Sequence, residues 1–190
     1  MIRIFSGRLK GRRICTLKGV DTRPTLAKTR DAIFNVLSSR YILSDFEACD
    51  LFAGSGALGF EAYSRGVERL VLVDHDRRAI SLLQKNIAQL SLPNAFQLVN
   101  KDAVQWVRNR SWRNSPVLFL IDPPYRTELA AKIVEAIDNQ SHNLAGSLLV
   151  VETSKNHPVE LPSRFSLFRQ KYFGETRVDF VKIEKAILHI

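Results

Sequence analysis

A chain of 190 residues and 21.6 kDa, 45% apolar and 25% charged, has the balance of one globular domain able to bury a core. It has no apolar run of the roughly eighteen residues a membrane span needs. Met1-Ile2-Arg3-Ile4-Phe5 also lacks the apolar stretch of a signal peptide, so a cytoplasmic protein with no membrane partner is expected. Cys15 and Cys49 are too few for a disulfide framework. His75, His142, His157 and His189 show no ligand spacing, so no metal centre is expected.

The charge is unevenly placed. Of the net +9, residues 1–30 carry +8, from nine Lys and Arg against Asp21. A polyanion-binding edge on a near-neutral body explains this better than a solvated basic tail does. A membrane-surface role is disfavoured, because the basic segment has no amphipathic helical period.

In chain order, residues 2–5 and 12–17 are strand-like runs around Ser6-Gly7-Arg8-Leu9-Lys10-Gly11, a hairpin that would carry the basic residues on a β-ribbon. Arg23-Pro24 punctuates the chain, and Thr25 can cap a helix over residues 26–37. Strand-like residues 48–52 then lead into a glycine-rich turn and a helix over 57–64. Apolar strands at 70–73, 96–99, 117–121 and 148–151 alternate with helical patterns at 76–90, from 103 onward and at 127–138. Such alternation implies repeated βαβ units and a parallel sheet covered on both faces. Residues 165–172 and 177–183, joined by Phe173-Gly174-Glu175-Thr176, form a hairpin expected to add antiparallel strands at one edge. The expectation is a single domain over 1–190: an α/β, Rossmann-like seven-stranded mixed sheet, with a ribbon over 1–22 and a core over 23–190.

Asp50-Leu51-Phe52-Ala53-Gly54-Ser55-Gly56-Ala57-Leu58-Gly59 follows the first core strand and opens a helix. Gly54, Gly56 and Gly59 spell G-x-G-x-x-G, and Asp74 lies 20 residues past Gly54 at the end of the next strand. This pattern indicates an adenosine-containing cofactor whose ribose the acid holds. Asp50 would face a pyrophosphate unfavourably, but it suits the ammonium tail of S-adenosylmethionine.

The fourth core strand runs into Asp122-Pro123-Pro124-Tyr125. Two prolines remove two N–H donors and leave a rigid, acceptor-rich turn. Asp122 and the Pro123 carbonyl can each accept one hydrogen of an exocyclic base amine, and Tyr125 can stack on the ring. The amine nitrogen is then aimed at an electrophilic methyl. Neither cysteine has a Pro-Cys or Thr-Cys context, which argues against methylation through a covalent cysteine adduct.

With these motifs in place, the chain resembles the RsmD family of bacterial 16S rRNA guanine-N2 methyltransferases over nearly its whole length. The resemblance rests on Arg23-Pro24-Thr25 with Arg30 and Phe34-Asn35, the 50–59 loop, Asp122-Pro123-Pro124-Tyr125 and Gly174-Glu175-Thr176. Asp74 stands where the family commonly has Glu, and Tyr125 where it often has Phe. The resemblance implies a class I fold and S-adenosylmethionine as cofactor. It places Asp50, Phe52, Gly54, Ser55, Gly56, Asp74 and Asp122 around that cofactor, with Asp102 near the adenine or capping a helix. Thr25 and Arg30 either close over the cofactor or simply begin a helix. Arg3, Arg8, Lys10, Arg12 and Arg13 would bind 16S rRNA or the small ribosomal subunit, and a monomer is expected.

Three rivals remain at this level. A DNA or RNA adenine-N6 methyltransferase shares the tetrad, but on DNA usually needs a longer target-recognition segment. An NAD-dependent oxidoreductase explains the glycines but not Asp50 or the tetrad. A non-catalytic RNA-binding assembly factor explains the charge but not the pocket.

Overall fold

A computed structural model describes residues 1–17, 24–92, 96–112, 116–124 and 128–185. A short ribbon, β1 (Ile2–Arg3) and β2 (Arg13–Ile14), precedes helix α1 (Pro24–Ser38). The core follows as β3 (Glu47–Asp50), α2 (Ala57–Ser64), β4 (Arg69–Asp74), α3 (Arg77–Leu90), β5 (Phe96–Asn100) and α4 (Ala103–Asn109). It continues through β6 (Val117–Ile121), α5 (Leu129–Asp138), β7 (Leu148–Ser154), β8 (Phe165–Phe173) and β9 (Thr176–Ile183).

Seven strands form one sheet in the order β5-β4-β3-β6-β7-β9-β8. The first five are parallel, as the βαβ alternation requires. β9 pairs antiparallel with β7 and with β8, so the terminal hairpin closes one edge with β8 outermost. Its tight turn is Gly174-Glu175, with Gly174 at φ 60°, a conformation that costs glycine nothing.

All five residues of β6 are buried, because helices cover both faces of the sheet. One face packs Leu72, Leu118, Leu120 and Val150 under Phe34, Phe60 and Leu83; the other packs Val71, Phe119 and Ile121 under Val107 and Ile133. Truncating a buried ring such as Phe60 or Phe119 to alanine should cost about 3–5 kcal/mol. Trp106 and Trp112 both belong to this core; their rings meet edge-on at 5.6 Å, and Trp112 meets Phe119 at 5.2 Å.

Helix starts follow local chemistry. Asp76 caps α3 by accepting the Arg78 N–H, and Asp102 caps α4 by accepting the Gln105 N–H. α1 begins at Pro24 itself, not after a Thr25 cap, since the N–H that proline lacks is one the first turn leaves unpaired anyway.

The ribbon is shorter than its strand-like runs, with two paired positions, Ile2↔Ile14 and Arg3↔Arg13. A 3-10 turn at Gly7–Leu9 replaces the simple hairpin loop and seats it on α2. A Cβ on Gly7 would lie 1.7 Å from the Ser64 carbonyl oxygen, so only glycine permits this approach. Glu61, fully buried, accepts the Phe5 and Ser6 N–H groups at 3.0 and 3.1 Å. The Leu9 N–H bonds to the Ser64 hydroxyl, and Asn86 bonds to both backbone groups of Cys15. Ile4 and Ile14 are core residues, which makes the ribbon part of the domain and not a tail.

Candidate active site

Strand order runs outward from β3 in both directions, to β4 and β5 on one side and β6 and β7 on the other. The crevice between the carboxyl ends of β3 and β6 is therefore the topological switch point, where open α/β sheets bind ligands. The Asp50–Gly59 loop and the Asp122-Pro123-Pro124 turn meet there.

The loop's backbone explains its glycines. Gly54 and Gly56 have φ of 51° and 81°. A Cβ at Gly59 would come within 2.5 Å of Leu72 and 3.2 Å of Asp50 Oδ2, so glycine lets α2 press onto the sheet. Two carboxylates hold the loop: Asp50 Oδ2 accepts the Gly59 N–H at 2.9 Å, and Asp74 Oδ2 accepts the Gly54 N–H at 2.8 Å. Asp74 Oδ1 accepts the Asp76 N–H as well.

Two cavities flank Phe52. The first is lined by Asp50, Phe52, Gly54, Ser55 and Asp122, with Arg30 and Ile2 from the ribbon side. The second is lined by Phe52, Asp74, His75, Asp102, Ala103, Pro124 and Leu129. Asp102 thus caps α4 and faces the cavity at once. Beyond Pro123 and Pro124 lies a larger cavity of about 480 Å³, walled by Ala130, Ala131, Glu152, Thr153, His157, Pro158 and Val159 among others.

The electrostatics are dominated by acids in a low-dielectric setting. Burial pushes Asp50 up to about 7; the Gly59 N–H opposes the shift, and the negative charges of Asp122 and Asp74 add to it. Burial likewise pushes Asp122 up to about 6. Glu152 stands well above the usual carboxylate range through burial and the nearby Asp122 and Asp50, with Arg30 pulling the other way. Groups poised this way at a cleft mark sites that bind cations or move protons.

Of the residues singled out in the sequence, Asp50, Phe52, Gly54, Ser55, Asp74, Asp102, Asp122, Pro123, Pro124 and Arg30 line these cavities, while Gly56 shapes the loop and faces Phe60 and Leu83. Tyr125 lies outside the described residues, as does the Thr25 side chain. Glu152 and Glu61 were missed. An acid ending an apolar strand was the available signal for Glu152, since Asp50, Asp74 and Asp122 end theirs in the same way.

The ribbon residues divide. Arg3, Lys10, Arg12 and Arg13 are exposed, though Arg12 also donates to the Gln89 carbonyl at 3.1 Å. Arg8 is exposed as well, but unlike the others it is bonded to two carbonyls of the domain. Its guanidinium turns inward to the Tyr63 and Val67 carbonyls at 2.8 and 2.6 Å and lies 3.8 Å over the Tyr63 ring. It adds a charged donor to the Tyr63 carbonyl in the last turn of α2 and to the Val67 carbonyl just beyond the helix, a favourable place for a cation. No group of three or more His, Cys, Asp or Glu among the described residues could hold a metal ion, and no described helix is long and apolar enough to cross a membrane.

Fold and crevice together define a class I, Rossmann-like methyltransferase architecture, the class of its neighbours among solved structures. The Escherichia coli protein yhhF superposes with a TM-score of 0.83 at 28% identity, covering 97% of this chain and 99% of that one. TrmN from Thermus thermophilus, at 18% identity, 48% of its own length covered and a TM-score of 0.63, shares the fold. The family described as Conserved hypothetical protein 95 matches residues 2–182, and the chain belongs to it. Its relatives include the Ribosomal RNA small subunit methyltransferase D proteins of Buchnera aphidicola (Acyrthosiphon pisum) and Escherichia coli K12. Each is 32% identical, over 90% and 92% of this chain and 87% and 86% of their own.

Proposed function

We propose that this chain transfers a methyl group from S-adenosylmethionine to the exocyclic N2 of a guanine in small-subunit ribosomal RNA. The observation that carries the reading is the Asp122-Pro123-Pro124 turn set against Asp50 and the Gly54–Gly56 loop at one crevice. Relatives named for methylating small-subunit rRNA support the choice of substrate.

The residues present fit the cofactor. Its methionine end carries an ammonium and a carboxylate, and the first cavity offers Asp50 to one and Arg30 to the other. Asp74 and Asp102 line the second cavity, where they would hold ribose and adenine. When bound, S-adenosylmethionine supplies a methyl carbon that passes to the nucleophile while the sulfonium takes back the bonding electron pair. The chain's own work is on the amine. Asp122 and the Pro123 carbonyl accept its two hydrogens, and Asp122 takes the proton the nitrogen sheds on methylation. A carboxyl near 6 is matched to that task at neutral pH.

A paired guanine cannot reach this recessed turn. The target is therefore a loop base or one extruded at a cost of a few kcal/mol. Arg3, Lys10, Arg12 and Arg13 on the docked ribbon would hold the surrounding phosphates.

The test is tritiated-methyl transfer to small subunits, and to their naked RNA, from a strain lacking the gene, followed by mapping of the labelled base. N2-methylguanine at one position is expected, with duplex DNA unlabelled. Label recovered as N6-methyladenine would overturn the reading.

A further inference from the structure

An Asp-Pro-Pro-Tyr turn aims an exocyclic amine at a methyl donor without specifying which base carries it. The ring nitrogen beside the amine-bearing carbon separates the candidates. In guanine, N1 carries a hydrogen and donates; in adenine N1, and in cytosine N3, the same position is a bare acceptor. A guanine site therefore needs an acceptor next to the place where the amine sits.

The fold supplies one. β6 and β7 run parallel, and their pairing ends at Ile121↔Val151, so Asp122, just past β6, and Glu152, within β7 and paired with Val178 of β9, follow that last pair at the same level. The two-residue period places both on the face that carries Leu120 and Val150. Glu152 is 5% exposed, and it is the one described residue that lines both the cavity of Asp50, Arg30 and Asp122 and the larger cavity beyond the prolines. That larger space lies within the range of ligand clefts and is walled mainly by apolar side chains, as a base's faces require. Burying a carboxyl beside Asp122 and Asp50 is costly for the fold alone, with Arg30 the nearby cation.

We propose that Glu152 selects guanine, an oxygen of its carboxyl accepting the ring N1–H while Asp122 and the Pro123 carbonyl accept the adjacent amine. The proposal rests on the guanine-N2 reading above. The acceptor serves whether Glu152 is ionised or neutral, and the neutral form also donates its O–H to guanine O6. Against the ionised carboxylate, adenine or cytosine seated by the same amine would set a ring lone pair on an oxygen that carries no hydrogen to meet it, and this is the form that selects.

The test is a cycle between the residue and one base atom. The mapped guanine is replaced by 2-aminopurine through ligation of synthetic RNA, in whichever form, naked or assembled, the native protein methylates. This analogue keeps the 2-amino nucleophile, converts N1 to an acceptor and lacks O6. The native protein should prefer guanine on the order of 10²-fold in kcat/KM. In Glu152→Leu the preference should shrink to within about threefold, because only the guanine rate falls steeply. Glu152→Gln, whose amide still accepts from N1 and donates to O6, should keep most of it. Equal losses on both bases in Glu152→Leu, with the preference intact, would overturn this proposal alone. Absence of N2-methylguanine with the native protein would overturn the function reading, and this proposal with it.

Discussion

Arg30 donates from its guanidinium to the Arg3 backbone carbonyl at 2.8 Å, so α1 carries the first ribbon strand on a side chain that also lines the Asp50 cavity. The same guanidinium lies 3.7 Å from Glu61, and its pKa is lowered by burial, with Glu61 opposing. Ile2 of β1 lines that cavity too. The basic ribbon is therefore one wall of the site, and whatever it holds is held at a fixed distance from the crevice.

Glu61 is the fastening of that wall. It accepts two ribbon N–H groups and the Arg65 guanidinium at 2.9 Å while fully buried. Glu61→Ala should cost about 3–5 kcal/mol in urea unfolding, because it strands buried donors and cations together. Amide exchange at Phe5 and Ser6 should rise well beyond the change at β6.

The arginines of the ribbon should separate by role. Replacing Arg3, Lys10 and Arg13 with Ala should flatten the dependence of log K on log salt for RNA by about 2, at roughly 0.7 per phosphate contact, and leave cofactor affinity unchanged. Arg8→Ala should lower the melting temperature with little change in slope, since its guanidinium is already bonded within the domain. An unchanged slope in the triple variant would place the RNA elsewhere.

Asp122→Ala should reduce methyl transfer by about 10²–10⁴ while S-adenosylmethionine affinity stays within a few-fold, because its work is on the base amine. Single-turnover transfer and equilibrium cofactor binding, measured on one preparation, check the split. Substantial residual turnover would remove Asp122 from proton transfer.

The acid cluster sets the pH behaviour. Asp122 must be ionised to accept a proton, so kcat/KM should fall on the acid side with an apparent pKa of about 6–7 that belongs to the coupled cluster. Stability runs the other way. A carboxyl whose folded pKa is raised binds a proton the unfolded chain releases, so stability from Asp50 is lost as pH climbs from about 4 to about 7. Asp50→Asn, which can still accept the Gly59 N–H, should raise the melting temperature at pH 8 more than at pH 5 and weaken cofactor binding. A pH-independent effect on melting would count against the buried charge.

Much of this molecule is legible in its sequence. The βαβ alternation, the Gly54–Gly59 turn, the Asp122-Pro123-Pro124 turn and the Gly174 hairpin depend on neighbours a few residues apart, and period and turn chemistry record such neighbours directly. Local chemistry also offered Asp102 as a cap. What escaped depends on distant partners. Arg8 is a basic residue like any other until the Gly7 turn carries it to carbonyls 55 and 59 residues away. Glu61 reads as an ordinary helix acid, yet α2 buries it against Phe5 and Ser6. Glu152 joins Asp50 and Asp122 only because crossover helices set three parallel strands side by side, with the ends of β3 and β6 level with Glu152 in β7. Periodicity says which face of an element is buried; which charges meet beneath it is decided by packing, because burial makes a carboxyl's partners count far more than its sequence neighbours do.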